Sequence, residues 1–272
     1  MAITTGDGLV AGIIGTSTVI GKDSASNEAA GISHTPWYAS GIIGAGAAPT
    51  GGLNGVTFSG TVNGQIPIPA AAAGKQSYVE RLSLVHTGGI GHIWVVDRLW
   101  GNVPVVTTTT GQAVTSPTWP ARDASASTIG AGVYLAIEVS ATTGNAGAIT
   151  NTTIIYTNSG NFGWPRTATL ASFPITGLTG TWLPFSLQAG DAGVRSVETV
   201  TLGTSYVSGA IHIVAYRLVA SIPVPTANIG NDRSWANLGL PKVWDNSVLQ
   251  LVYFPTGSAV GALVGEITYA QG

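Results

Sequence analysis

The chain repeats itself, and a repeated strand pattern limits its possible folds more than any other feature. Residues 79–100 read VERLSLVHTGGIGHIWVVDRLW, and residues 197–219 read VETVTLGTSYVSGAIHIVAYRLV. Each opens on Val-Glu, alternates apolar with polar residues, breaks at Gly and Ser or Thr, and returns through His-Ile to Arg-Leu. A second echo follows each copy, TTGNAGA at 142–148 and PTGSAVGA at 255–262. Self-similarity in a fixed order marks a duplicated structural unit, and alternation of period two makes that unit β.

Read as a hairpin, the first copy pairs Glu80 with Arg98, Leu82 with Val96, Leu84 with Trp94 and His86 with His92. The second pairs Glu198 with Arg217, Val200 with Ala215, Leu202 with Ile213 and Thr204 with Ile211. Both registers set an acid opposite an arginine at the same end. Such a cross-strand pair contributes only about 0.2–1 kcal/mol. It nevertheless selects the register, because a one-residue slip would turn Leu82 and Leu84 outward.

The rest of the chain is consistent with a β fold. Thirty-eight Gly and 14 Pro favour strands and turns over helices. Thr152–Tyr156 and Pro165–Leu170 flank NSGNFG as a further hairpin, and Ile222–Pro225, with two prolines, reads as an edge or connection. Residues 1–60 differ, being rich in Gly, Ala and Ser, with one short helix-like piece, Leu9–Ile14, that Asp7 could cap; they read as an extended arm that orders on a neighbour or, alternatively, as a first strand layer of the main domain. The expected architecture is all-β: duplicated antiparallel β-sandwich or jelly-roll-like units with an N-terminal arm. The expected boundaries are 1–60 for arm and linker, 61–170 for the first β-unit and 171–272 for the second.

Only 8% of residues are charged, against about 25% in ordinary globular chains. So weakly polar a surface suits burial against a partner, which points to a homo-oligomer or a larger assembly. The ten basic residues are scattered and the formal net charge is −2, which disfavours nucleic acid. No run of about 18 apolar residues suggests a membrane span, and MAITTGDGLVA lacks the features of a secretion signal. With no cysteine, thiolate chemistry and disulfides are excluded.

No two acids lie within three residues of each other, so a carboxylate pair would have to converge through the fold. His86 and His92 could approach at a hairpin mouth, but no third ligand is near in sequence. Serine-nucleophile, Walker and dinucleotide signatures are absent. The expectation is therefore no catalytic residue, no metal site and no cofactor. Eight Trp stand out. Trp94 alternates with a leucine face and reads as core, whereas Trp37, Tyr38, Trp119 and Trp164 lie in Pro/Gly-rich loops and are the interface candidates.

Four pieces, MAITTGDGLVA, LPFSLQAGDAGVRSVETVTL (183–202), GLP (239–241) and ITYAQG at the end, resemble uncharacterised structural proteins of tailed bacteriophages. The resemblance implies a non-enzymatic virion component made in the host cytoplasm. At this size it implies a capsid cement or decoration protein on the head surface. Its partners would be the major capsid protein or other virion proteins, and its oligomer commonly a trimer. It transfers no residue-level site. The alternative is a carbohydrate- or receptor-binding β-sandwich module of a tail or fibre, with exposed aromatic platforms.

Overall fold

The computed structural model describes residues 3–24, 28–160 and 165–272. In chain order the strands are β1 (Ile13–Asp23), β2 (Val56–Thr57), β3 (Ser77–His86), β4 (Gly91–Gly101), β5 (Gln112–Ala113), β6 (Val133–Ala141), β7 (Thr153–Asn158) and β8 (Arg166–Thr169). They continue as β9 (Trp182–Pro184), β10 (Val194–Thr201), β11 (Ala210–Val224), β12 (Asn231–Ser234), β13 (Lys242–Val243), β14 (Leu249–Pro255) and β15 (Ala262–Gln271). The chain is all-β, and every ladder is antiparallel.

The strands form three sheets. Two are flanking sheets, ordered β1-β15-β3-β12 (with β13 also on β3) and β5-β10-β7-β8. The third is central, ordered β14-β4-β11-β6-β9 with β2 on β4. The stretch Ser33–Thr35 then bonds to both edges of the central sheet. His34 exchanges backbone hydrogen bonds with Tyr253 of β14, while Thr35 N–H donates to Gly180 and Trp182 N–H to Ser33. The central sheet is thus closed into a ring.

The long strands β4 and β11 let two sandwiches share that ring. Ile93 and Val95 of β4, with Ile222 and Val224 of β11, pack under the sheet containing β3. Leu99 and Trp100 of β4, with Ile211, Ile213 and Ala215 of β11, pack under the sheet containing β10. Val96, Ala136, Val214, Tyr216 and Val252 point the other way, into the ring. Alternation along one strand therefore serves three cores.

Between the two outer cores, at the middle of both strands, Asp97 lies opposite Arg217. Register pairs placed symmetrically about this one correspond: Arg98 with Tyr216 matches Val96 with Leu218, and Trp100 with Ala215 matches Val95 with Ala220. The ladder slips once at Leu99 and once at Val219, two residues beyond Asp97 and Arg217 respectively. An internal twofold axis accordingly runs through the Asp97–Arg217 pair and maps His92-Ile93 onto His212-Ile213.

The same symmetry relates the flanking sheets. Glu80 is skipped where β3 pairs with β15, and Glu198 where β10 pairs with β7. In each case the preceding valine faces a buried tyrosine: Val79 opposite Tyr269, and Val197 opposite Tyr156. The repeated Val-Glu therefore marks a conserved position within the duplication, a β-bulge in each half.

Several sequence expectations need correction. Strands β3 and β4 do not pair, nor do β10 and β11; each repeat is an arch that joins a flanking sheet to the central one. The Glu80–Arg98 and Glu198–Arg217 pairs therefore do not exist. Arg98 points into the ring toward Glu138, Arg217 points outward toward Asp97, and Glu198 accepts from Thr157 and Ser196. The period-two alternation is present in each strand, but the faces of β4 are exchanged: Ile93 and Val95, not Trp94 and Val96, share a core with Leu82 and Leu84, because the chain forms a two-sheet arch rather than a flat hairpin.

The N-terminal arm is instead partly a sheet strand. The β-branched run in β1 pairs with β15 along most of its length and buries Ile20. The helix is Gly6–Gly12, capped by the Thr5 side chain rather than by Asp7. Residues 61–170 and 171–272 do not stand as separate units, because their strands interleave in every sheet. Ile222–Pro225 falls largely within β11, beyond the point where β6 stops pairing, so β4 is the one strand that pairs Pro223, and the Pro223 carbonyl accepts from the Asn231 side chain at 2.9 Å. The hairpin around residues 159–165 is present as β7 paired with β8.

Asp97 is fully buried and ties the seam together. It accepts from Arg122 Nε at 3.1 Å and Nη2 at 3.2 Å, from Ser247 Oγ at 2.8 Å and from Val248 N–H at 3.0 Å. Arg217 Nη2 lies 3.7 Å away and its guanidinium stacks on Trp244. Removing the carboxylate strands two buried cations. Asp97→Ala is expected to cost about 3–5 kcal/mol in chemical denaturation; a loss below about 1 kcal/mol would contradict this role.

Lys22 of β1 is buried too. Its ammonium donates to the carbonyls of Ala39 at 2.8 Å, Gly44 at 2.7 Å and Trp37 at 3.3 Å, clamping that segment beside β1. Burial pushes its pKa down to about 8, whereas the unfolded side chain stays protonated to about 10.4. Between pH 8 and 10 the unfolded state binds more protons, so stability rises with pH in that window. Above about pH 10 the sign reverses, because burial raises Tyr206 and Tyr253 to about 12. Lys22→Met should abolish the rise between pH 8 and 10; parallel denaturation curves for variant and parent across that range would refute it.

Candidate functional site

Besides the Asp97 seam, a second buried ion pair lies inside the ring. Arg98 Nη1 donates to Glu138 at 2.7 and 2.9 Å and to Gln250 Oε1 at 3.0 Å. The Tyr38 hydroxyl donates to the same carboxylate. The guanidinium is sandwiched between Trp37 at 5.0 Å and Phe58 at 4.5 Å. Burial alone would raise the Glu138 pKa, but Arg98, with hydrogen bonds from Arg98 and Tyr38, holds it below the usual carboxylate range. Burial, reinforced by Glu138, pushes Tyr38 well above the ordinary phenol value. A carboxylate held ionised by a buried arginine is poorly placed to accept or release a proton near neutral pH.

Three further buried clusters behave alike. Asp123 accepts backbone N–H bonds from Ser125, Ser127, Gly130 and Ala131, at 2.7–3.1 Å, and so shapes the loop it begins. His86 Nε2 lies 2.8 Å from Glu28 while the ring stacks on Tyr253 at 4.3 Å. His212 is held by Ser140 at 2.7 Å and by the Asn102 carbonyl at 2.9 Å. These groups fasten one strand or loop to another. Among the described residues no three His, Asp or Glu side chains gather as a metal site, and His86 and His92 belong to different sheets.

The surfaces with chemical character of another kind are the two ends of the sandwiches. One end carries the loops 87–90, 225–230 and 256–261, with Ser24, Glu28 and Gly31 of the segment after β1 bonded to Gly261, Ala259 and Pro255; the other carries 102–111, 142–152, 171–181 and 202–209. None of these seven loops contains Lys, Arg, Asp or Glu. They expose apolar side chains instead: Ile90, Ile229 and Val260 at one end, and Val105, Ile175 and Val207 at the other.

Backbone contacts hold each set of loops together. Thr256 N–H donates to Ile90 and Asn228 N–H to His86 at the first end, while Gly144 donates to Tyr206 and Thr176 to Asn145 at the second. A Cβ on Gly88 would meet the Val260 carbonyl oxygen at 2.1 Å, so two loops of the first end touch backbone to backbone. The ends lie at opposite termini of the 15-residue β11, about 45–50 Å apart at the usual strand rise. The internal twofold makes them equivalent.

The aromatic interface candidates fare differently. Trp37 and Trp119 are 2% and 1% exposed. Trp37 donates to the Ala47 carbonyl, and Trp119 donates to the Val194 carbonyl and packs on Trp100 at 5.3 Å. Both are core residues, because the Gly/Pro-rich segments around them fold back over the sheets. Tyr38 is half-buried on Glu138, and Trp164 lies outside the described residues. Trp94, expected in the core, sits in the ring against Phe254 and Trp182. Trp235 is 46% exposed; no pattern in its surroundings distinguishes it in sequence. The charge-free loops, by contrast, are visible in the sequence as a simple absence of Lys, Arg, Asp and Glu.

No helix among the described residues is long and apolar enough to cross a membrane. No family model matches the chain, and no curated protein matches it. Among solved structures it shows slight similarity to a mutant VP2 protein of infectious bursal disease virus in derived T=1 particles. The identity is 13% and the TM-score 0.13, over 75% of this chain and 44% of that one. A VP2 subviral particle of the same virus is similar at 12% identity and TM-score 0.11, over 76% of this chain and 46% of that one. The chain thus spans less than half of each of these proteins, and superpositions this slight carry no argument about it.

Proposed function

We propose that this chain is a non-enzymatic structural component of a phage virion. Its role would be that of a capsid cement or decoration protein that stabilises the head by bridging neighbouring capsid subunits. The observation that carries this reading is a set of charge-free loops at each end of the molecule, each set exposing aliphatic side chains. A body of that kind engages two neighbours at once, and the second contact forms at high effective concentration. Small apolar contacts at about 25 cal/mol per Å² accumulate over a repeated lattice.

The charged groups support the same reading, because the buried ones already serve strand and loop contacts inside the chain. The internal twofold favours attachment between pairs of subunits over the trimeric arrangement that the resemblance implies. A glycan-binding tail or fibre module has less support, since among the described residues the exposed large aromatics are Trp235 and Tyr134, on separate elements.

The test uses purified particles. The chain is expected in high copy over the head. Ile90→Lys with Val207→Lys, one change per end, should reduce bound copies at least tenfold while leaving the thermal midpoint of the free protein within a few degrees. A copy number matching a single tail vertex, or full occupancy by the double variant, would defeat the bridging role.

A further inference from the structure

The order of strands carries an inference that depends on no assumption about the partner. Let the first copy of the duplicated unit be residues 13–158 and the second 166–272. The first flanking sheet, β1-β15-β3-β12, then reads first, second, first, second. The other, β8-β7-β10-β5, reads second, first, second, first. The ring runs β14, β4, β11, β6, β9 and Ser33–Thr35, again alternating without exception. Of the named ladders, only the two-residue contact of β2 with β4 joins strands of the same copy.

The corresponding elements are β1 and β8, Ser33–Thr35 and β9, β3 and β10, β4 and β11, β5 and β12, β6 and β14, and β7 and β15. Each pair occupies equivalent places in the sheets.

We infer that the chain is a fused, intertwined twofold dimer, in which each half is the obligate binding partner of the other. A half alone has almost no strand neighbour of its own. Its backbone N–H and C=O groups would stay unpaired, and a single layer of separated strands has no second sheet to bury against. The hydrogen bonds that define the fold, and all three cores, form only when the halves meet. The interface between the halves is the fold itself, so it resembles the core of an obligate dimer rather than a docking contact between finished domains. The connection across 159–165 joins the adjacent antiparallel strands β7 and β8. Cutting it leaves every named ladder between the halves in place.

The inference is tested on the full chain carrying a specific protease site inserted within 160–165, cut after folding. The cut protein is expected to run on a native sizing column as one species with the mobility of the 27.5 kDa chain, while resolving into two pieces under denaturing conditions. After unfolding and dilution, recovery of β-sheet circular dichroism should depend on concentration, its half-time shortening about tenfold for a tenfold higher concentration of both pieces, as a bimolecular step requires. Each piece purified separately should show no cooperative thermal transition, and mixing should restore one. Separation of the cut pieces on the native column, or an independent cooperative transition in either isolated piece, would overturn the inference. Should the inserted site resist cleavage, co-expression of the two halves as separate chains supplies the same readouts. None of these measurements involves a capsid, so the proposed bridging function can fail while this inference stands.

Discussion

The contact between Asp97 and Arg217 is the point to which the rest of the structure is referred. It lies on the internal twofold, at the midpoint of the two longest paired strands, where one outer core gives way to the other. The symmetry would place the same residue at both positions; the chain instead has an acid on one strand and a base on the other. Two like charges there, buried against each other, would repel at full strength in a poorly solvated site. Divergence of the copies at this one position turns a symmetric clash into an attractive pair, and Arg122, Ser247 and the Val248 amide complete the carboxylate's hydrogen bonds.

The strands were legible in the sequence because their alternation is local. Leu82 and Leu84 share a buried face as the period-two pattern requires, whereas the hairpin register set Val96 and Trp94 beside them where Ile93 and Val95 stand. Which strand lies beside which was not legible, because pairing here is almost never between neighbours in the chain. The apparent match of Arg98 with Arg217 misled for a related reason. The backbone aligns His92-Ile93 with His212-Ile213, so Asp97 corresponds to Arg217 and Arg98 to Leu218. Counting arginines instead displaces the register by one residue, which exchanges the two faces of a strand.

The buried charges carried a usable signal that aromatic residues obscured. Asp97 stands in IWVVDRLW and Glu138 in VYLAIEVS, each an acid inside an otherwise apolar strand. A lone ionisable residue in such a run is sustained by a buried partner, since an unpaired charge there is too costly. Trp37 and Trp119 were drawn toward the surface by their Gly- and Pro-rich surroundings. Those same small residues are what allow the chain to close over an indole: the Gly46 Cα lies so near the Trp37 ring that a Cβ would strike it at 2.1 Å. Glycine next to tryptophan can mark a lid as readily as a loop.

Intertwining also bears on what a bridging body must withstand. Force applied between the two ends runs along β4 and β11, which span the molecule in opposite directions and bond to each other over most of their length. Separating the ends would shear that ladder all at once, together with the ladders of β6 and β14 on either side. Two beads on a flexible linker would instead yield at the linker. Each sandwich here is built from both halves of the chain, so neither can be pulled away intact, and tension on the apolar loops is carried by the hydrogen-bonded sheet rather than by one covalent connection.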